Sequence, residues 1–316
     1  MANLQLVEAK APTPLSRCVE EYLTAGRARD LAPGTIVQLS YSLRMVFLPW
    51  AGRQGFSSPA ELSPRALERL SAELLTEGGR RGPLSRQTVR TYLRAVNLCL
   101  KWAKEEGEPV PDRATAPLPR LPKTLPEVLS REQIQAIEDA CSTERDRLIV
   151  RLLADTGMRV GELVGLRTED LLQRSRGSYL RLRGKGELER QVPVMPRLAS
   201  RLQRYTSRTR PAEAGTDRLL VSLRRSARTG AFEPLTPSGV QQLVRSAASR
   251  AGIRQRVHPH LFRHSFVTWM LARGTNPITL AKIMGHTSLT MIQQVYSHLS
   301  PADTYDAMSA VLLKGD

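Results

Sequence analysis

Tyr296 closes the run MGHTSLTMIQQVY, and His286 stands ten residues before it. Further upstream, HPHLFRHSF supplies His260 and Arg263, RGKGELERQVPV supplies Lys185, and TGMRVGELVGL supplies Arg159. Two arginines, a lysine, two histidines and a late tyrosine form a set suited to attack on a phosphodiester. Arginine forks hold two phosphate oxygens at once. A tyrosine oxygen serves as a covalent nucleophile when its neighbours activate it.

Taken singly, none of these residues decides the matter. Arg159 follows a glycine turn at a helix start, where its fork can point away from the packed face or simply pair with Glu162. Lys185, between Gly184 and Gly186, reads as a mobile cation at a hairpin tip, yet turns favour glycine and polar residues whatever their role. His260, Arg263 and His264 are spaced i, i+3, i+4, near one face of a helix. His258, His260 and His264 imitate a metal cluster. No H-E-x-x-H pattern or matching carboxylate accompanies them, so no metal is expected. Tyr296 shares a helical face with Ile292, as a packing tyrosine would. The weight lies in the constellation.

The elements that must position this set fall into two groups. Residues 1–12 lack a pattern and are expected to be a flexible N-terminus. Residues 13–106 read as a helical domain. One stripe runs through Leu15, Val19, Tyr22 and Leu23, and a second through Ile36, Leu39, Leu43, Val46, Phe47 and Trp50. A third helix is opened by Ser63-Pro64 and a fourth is capped by Ser85. The exposed faces carry Arg81, Arg86, Arg90, Arg94, Lys101 and Lys104, which could line a phosphate backbone or be merely solvated. Residues 107–126 contain a proline-rich stretch and read as a semi-rigid linker. Residues 127–316 read as a second domain. Ser130 and Gln133 make a capping box, and a helix from about Glu144 ends near Gly157. SYLRLRG and RQVPV alternate as the two strands of a hairpin. Helices follow from Thr236-Pro237 to Gly252, then over 260–273, 277–284, 288–298 and 302–313. The fold class is therefore mainly α with a small β-sheet.

The chain has 316 residues, long enough for two ordinary domains. It carries 47 basic against 30 acidic residues, a net of +17. The excess is shared: residues 1–125 hold 18 basic and 12 acidic, residues 126–316 hold 29 and 18. Both halves being basic points to a long polyanion touched by both. Only 7 of the 47 are lysine, so part of the arginine is compositional. Cys18, Cys99 and Cys141 are unevenly spaced and read as buried thiols in a reducing compartment. There is no leader pattern and no apolar run near the ~20 residues a membrane span needs. A cytoplasmic, nucleoid-associated protein without membrane contact is expected.

The order Arg159, Lys185, His260-x-x-Arg263, Gly285-His286 and Tyr296 resembles the tyrosine recombinase (phage integrase) family, most nearly its Xer-like and simple transposon or integron types. TGMRVGELVGL, GKGELERQVPV, PHLFRHSF and MGHTSLTMIQQVYSH each match a family box, in order and at the family's approximate spacing. Phe262 and Met284 stand where leucine is commoner, and neither touches the chemistry. The resemblance implies a two-domain DNA clamp, with the helical domain binding core sites and residues 127–316 forming the catalytic domain. The short start before residue 13 implies no separate arm-binding domain.

The resemblance also implies roles. Tyr296 would attack the backbone phosphorus, giving a 3′-phosphotyrosyl link and a free 5′-hydroxyl. Arg159 and Arg263 would clamp the non-bridging oxygens, Lys185 would protonate the departing oxygen, and His260 would act as base or proton relay. His286 would donate to the phosphate, and Glu162 would orient an arginine or His260. No cofactor is expected: bond energy kept in the phosphotyrosine removes any need for ATP. Double-stranded recombination sites are the implied partner, with a homotetramer on paired sites exchanging strands through a Holliday junction. The C-terminal stretch with Ala307, Met308, Val311 and Leu312 resembles a segment packed into a neighbour, or closes its own domain. A second recombinase or an accessory protein stays open. Two rivals remain at this point: a type IB topoisomerase and a DNA-binding regulator that does not cut.

Overall fold

The computed structural model describes residues 13–78, 82–122, 127–184 and 189–285. Arg81, Lys185, His286, Tyr296 and the helices expected over 288–298 and 302–313 lie outside the described residues, as do residues 1–12. The chain divides into two compact units, Met1–Lys123 and Thr124–Asp316.

The first unit is all helical: α1 (Pro14–Ala28), α2 (Pro33–Ser40), a π-helical continuation (Tyr41–Phe47) running into α3 (Leu48–Arg53), α4 (Pro64–Thr76) and α5 (Arg86–Glu105). Their starts follow from local chemistry. The side chains of Thr13, Ser63 and Ser85 accept the N–H of Ser16, Ala66 and Thr88, each satisfying an otherwise unpaired first-turn donor. Proline follows Thr13 and Ser63, at a position where its missing N–H costs nothing. The apolar stripes converge on a core with Leu23, Leu43, Phe47, Leu67, Leu70, Val89 and Leu93 fully buried.

The proline-rich segment is bonded to the first unit over much of its described length. Ala116 is buried in the first unit's core, with Val110, Ala114 and Leu118 packed beside it. Asn97 on α5 brackets Ala116, accepting its N–H at 2.8 Å and donating to its carbonyl at 2.9 Å. Ser71 donates to Pro117 O and Arg90 to Pro119 O. Prolines stop the segment from forming helix but leave its carbonyls available, and α4 and α5 supply the donors. The division between units falls only after Lys123.

The second unit opens with α6 (Arg131–Asp139), α7 (Glu144–Thr156) and α8 (Val160–Gly165). Three strands follow, β1 (Leu171–Arg174), β2 (Gly177–Arg183) and β3 (Glu189–Val194), antiparallel in that order, with Arg183 opposite Glu189. The expected hairpin is β2–β3. Strand β1 is too short, at four residues, to show an alternation in sequence. Then come α9 (Pro196–Arg204), α10 (Pro237–Arg250), α11 (Pro259–Ala272) and α12 (Pro277–Met284). The core includes Leu148, Leu152 and Leu153 of α7, Leu180 and Leu182 of β2, Val240 and Val244 of α10, and Phe262 of α11. No helix among the described residues is long and apolar enough to cross a membrane.

Helix α7 ends on Gly157, whose φ of 61° is left-handed and whose N–H bonds Leu153 O. A Cβ there would lie 2.7 Å from the Phe266 ring and 3.1 Å from Met284 Cε. Gly157→Ala is therefore expected to cost about 2–4 kcal/mol, combining the left-handed penalty with overpacking. Urea unfolding measures it; an unchanged midpoint would mean that the turn repacks freely.

Candidate active site

Glu162 is the centre of the described site. It lies in the first turn of α8 with its side chain 4% exposed. Its Oε2 accepts the Arg159 backbone N–H at 2.7 Å, and its Oε1 meets Arg159 Nη1 at 3.0 Å. A second guanidinium arrives from β3: Arg190 Nη1 donates to Oε1 at 2.6 Å and Nη2 to Oε2 at 2.8 Å. Burial by itself would raise the carboxyl's pKa, but the hydrogen bonds from Arg190 and Arg159 outweigh it and hold the group below the usual carboxylate range. Glu162 is thus a fixed anion that orients Arg159, whose own side chain stays 38% exposed.

Arg263 projects from α11 and is 1% exposed. Its Nη1 donates to Gly157 O at 2.7 Å and its Nη2 to Met284 O at 2.8 Å. It thereby joins the turn that precedes Arg159 to the end of α12, just before the Gly285-His286 pair. Burial, then the neighbouring Arg159 charge, pulls its pKa down to about 9. His260, in the first turn of α11, is exposed. Desolvation by its surroundings, then the charges of Arg263 and Arg159, keep its pKa below the ordinary 6.5, so the ring is largely neutral at pH 7. Three arginines thus gather about one carboxylate beside a neutral imidazole. That excess of positive charge, with an accessible Arg159 fork, suits an oxyanion that gains charge during reaction.

The other histidines have separate duties. His258 caps α11, its Nδ1 accepting Leu261 N–H at 3.2 Å. Among the described residues no group of three His, Cys, Asp or Glu could hold a metal ion. The Nδ1 of His264 is buried without a hydrogen-bond partner.

The His258 cap makes stability pH-dependent, because a protonated Nδ1 cannot accept. Burial, then the charges of His260 and Arg256, outweighs Glu127 and sets the His258 pKa below 6.5. A depressed imidazole pKa means that the unfolded chain binds the extra proton more readily. This contribution is fully present above 6.5 and lost as pH falls through the folded value. His258→Asn keeps a capping acceptor that does not titrate. It is expected to flatten the fall in urea stability between about pH 7 and 5; an unaltered slope would assign the loss to other groups.

On α5 the structure separates the expected DNA-facing cations. Arg94 and Lys101 are exposed, Lys101 lying 3.8 Å from Glu105. Arg86, also exposed, and the half-buried Arg90 donate to the carbonyls of Arg120 and Pro119. In the second unit a groove of about 1050 Å³ is lined by Asp155, Phe266, Trp269 and Ile283. None of Arg159, Glu162, Arg190, His260 and Arg263 lines it.

Arg190 lies inside the GKGELERQVPV box, but the sequence reading gives a role there to Lys185 alone. A signal for it exists: strand alternation puts Arg190 on the face of Val192 and Val194, the buried face of β3. A charge on a core-facing position demands a partner.

The profile of the Phage integrase family matches residues 127–303. Tyrosine recombinase XerC 2 of Ralstonia nicotianae is 30% identical over 303 residues, spanning 93% of this chain and 85% of the relative. Tyrosine recombinase XerA of Thermococcus onnurineus is 32% identical over 283 residues, spanning 88% and 90%. In fold, the chain resembles a lambda integrase tetramer bound to a Holliday junction, with a TM-score of 0.69 at 16% identity over 90% of this chain and 78% of that one. A profile match over more than half the chain, together with relatives that align along nearly all of it, places this chain in the phage integrase family, the tyrosine recombinases.

Proposed function

We propose that this chain cuts and rejoins DNA at specific sites, with Tyr296 as nucleophile and residues 127–316 as the catalytic domain. The phenol oxygen bonds to the scissile phosphorus as the bond from phosphorus to the 5′-oxygen breaks. His260 receives the phenol proton and Lys185 gives one to the leaving oxygen, so charge and protons balance. Arg159 and Arg263 hold the non-bridging oxygens, and His286 donates to the same group. The 3′-phosphotyrosyl bond conserves the energy of the broken linkage, and a 5′-hydroxyl from the partner duplex reverses the step. Two such exchanges within a tetramer on paired sites pass through a Holliday junction, in the cytoplasm where the DNA lies. Residues 13–106 form the core-site-binding domain, and Arg86, Arg94, Lys101 and Lys104 are exposed cations of its α5.

The observation that supports this reading best is the Glu162 anchor, which orients Arg159 while Arg263 and His260 lie within electrostatic reach. The test needs DNA that the chain recognises, which is a duplex enriched by the chain from a random pool. Incubated with a nicked form of that duplex, a chelator and no ATP, the chain should give a protein–DNA band that survives denaturation. Binding without that band would identify a regulator. Relaxation of supercoils without recombinants on paired sites would identify a topoisomerase.

A further inference from the structure

Arg190, inside the GKGELERQVPV run, stands where three elements of the second unit meet. Its guanidinium makes three short bonds to two distant elements: two to Glu162 on α8, and Nε to Ile283 O at 2.7 Å on α12. The last carbonyls of a helix have no intrahelical donor. At the end of α12, Arg190 supplies one for Ile283 and Arg263 supplies one for Met284. The next residue, Gly285, has a φ of 61°, and a Cβ there would lie 2.9 Å from Arg190 Nη1 and 3.0 Å from its Cδ. Arg190 is therefore packed directly on the turn that leads into His286. Its side chain is 12% exposed and its carboxylate partner 4%, so each leaves a buried charge if the other is removed.

We infer that Arg190 is a positioning residue for strand cleavage: through Glu162 it fixes the Arg159 fork, and through Ile283 it fixes the α12 terminus that delivers His286. It touches no reacting atom in this scheme. The inference rests on the function proposed above and deepens it. One guanidinium in β3 thus ties the start of α8 to the end of α12. Lysine cannot replace it, since a point charge cannot bond both carboxylate oxygens and a carbonyl in fixed directions.

The full-length chain with Arg190→Gln, Arg190→Lys or Glu162→Gln/Arg190→Gln tests this on the nicked duplex enriched by the wild-type chain. Single-turnover cleavage of bound DNA by R190Q should fall about a hundredfold, the scale expected for a small misplacement of a clamping group. DNA affinity should change by less than about threefold, because the groups that contact the rest of the duplex are intact. R190K should keep the fold and recover only part of the rate. Two readouts separate positioning from mere stability. In R190Q, Glu162 keeps only Arg159, with Arg263 nearby, so the rise of cleavage with pH, set in the wild type by His260, should move to higher pH, and the double variant should lack that shift. A 5′-bridging phosphorothiolate substrate, whose sulfur leaves without needing a proton, should not rescue R190Q if the defect lies in the phosphate clamp.

Wild-type cleavage rates in folded R190Q or R190K would overturn the inference. So would a rate loss restored by the phosphorothiolate, which would assign Arg190 to general-acid delivery instead. Failure of the wild-type chain to form any adduct would sink the recombinase proposal itself, a separate result read in the same gel.

Discussion

Tyr296→Phe is expected to eliminate covalent attachment to DNA altogether while leaving binding nearly intact. A phenol is protonated at neutral pH, and its oxygen is the only atom the substitution removes. Without that oxygen there is nothing to bond to phosphorus, so the loss is complete rather than graded. Affinity should stay within about tenfold, because one neutral hydrogen bond contributes about 0.5–1.5 kcal/mol. A denaturing gel reads the first quantity and a gel shift the second. An adduct from the Phe variant would move the nucleophile to another residue. A large loss of binding would instead make Tyr296 a structural tyrosine.

The second large effect is expected at Arg263. In Arg263→Lys the positive charge is retained, but a single ammonium cannot donate to Gly157 O and Met284 O in the directions the fork now serves. Each hydrogen bond from a charged group contributes about 1.5–3 kcal/mol, so the unfolding free energy should drop by about that much. Cleavage should fall further, by roughly a hundred- to a thousandfold, the loss typical of removing one preorganised donor from a developing oxyanion. The two losses are separable: cleavage of bound DNA well below the melting temperature reports the site, and the urea midpoint reports the scaffold. Equal, small losses in both would mean that Arg263 holds the turn and α12 together without meeting phosphate.

Most of the helices were legible because their signals are local. Ser63-Pro64, Ser85 and the Ser130–Gln133 box are decided within one turn, and the structure has each in its expected capping bond. Gly157 ends α7 for an equally local reason, since only glycine enters the left-handed region cheaply. The composition of the proline-rich segment excludes helix and reads as a semi-rigid linker, but it does not show that Asn97, Ser71 and Arg90 bind its backbone.

The sequence by itself determined most of the described helices and the β2–β3 hairpin, the two-part division, the basic character of both halves and the order of the chemical groups. Those depend on periodicity, caps and charge counts, which act over a few residues or need no geometry. Only the tertiary structure decided which groups meet. Glu162 and Arg190 are 28 positions apart, and Arg263 and Gly157 are 106 apart. Nothing in the spacing states that β3 brings its inward-facing arginine to the same buried carboxylate that holds Arg159. Packing does so, because a buried carboxylate is tolerated only where donors from several elements converge on it.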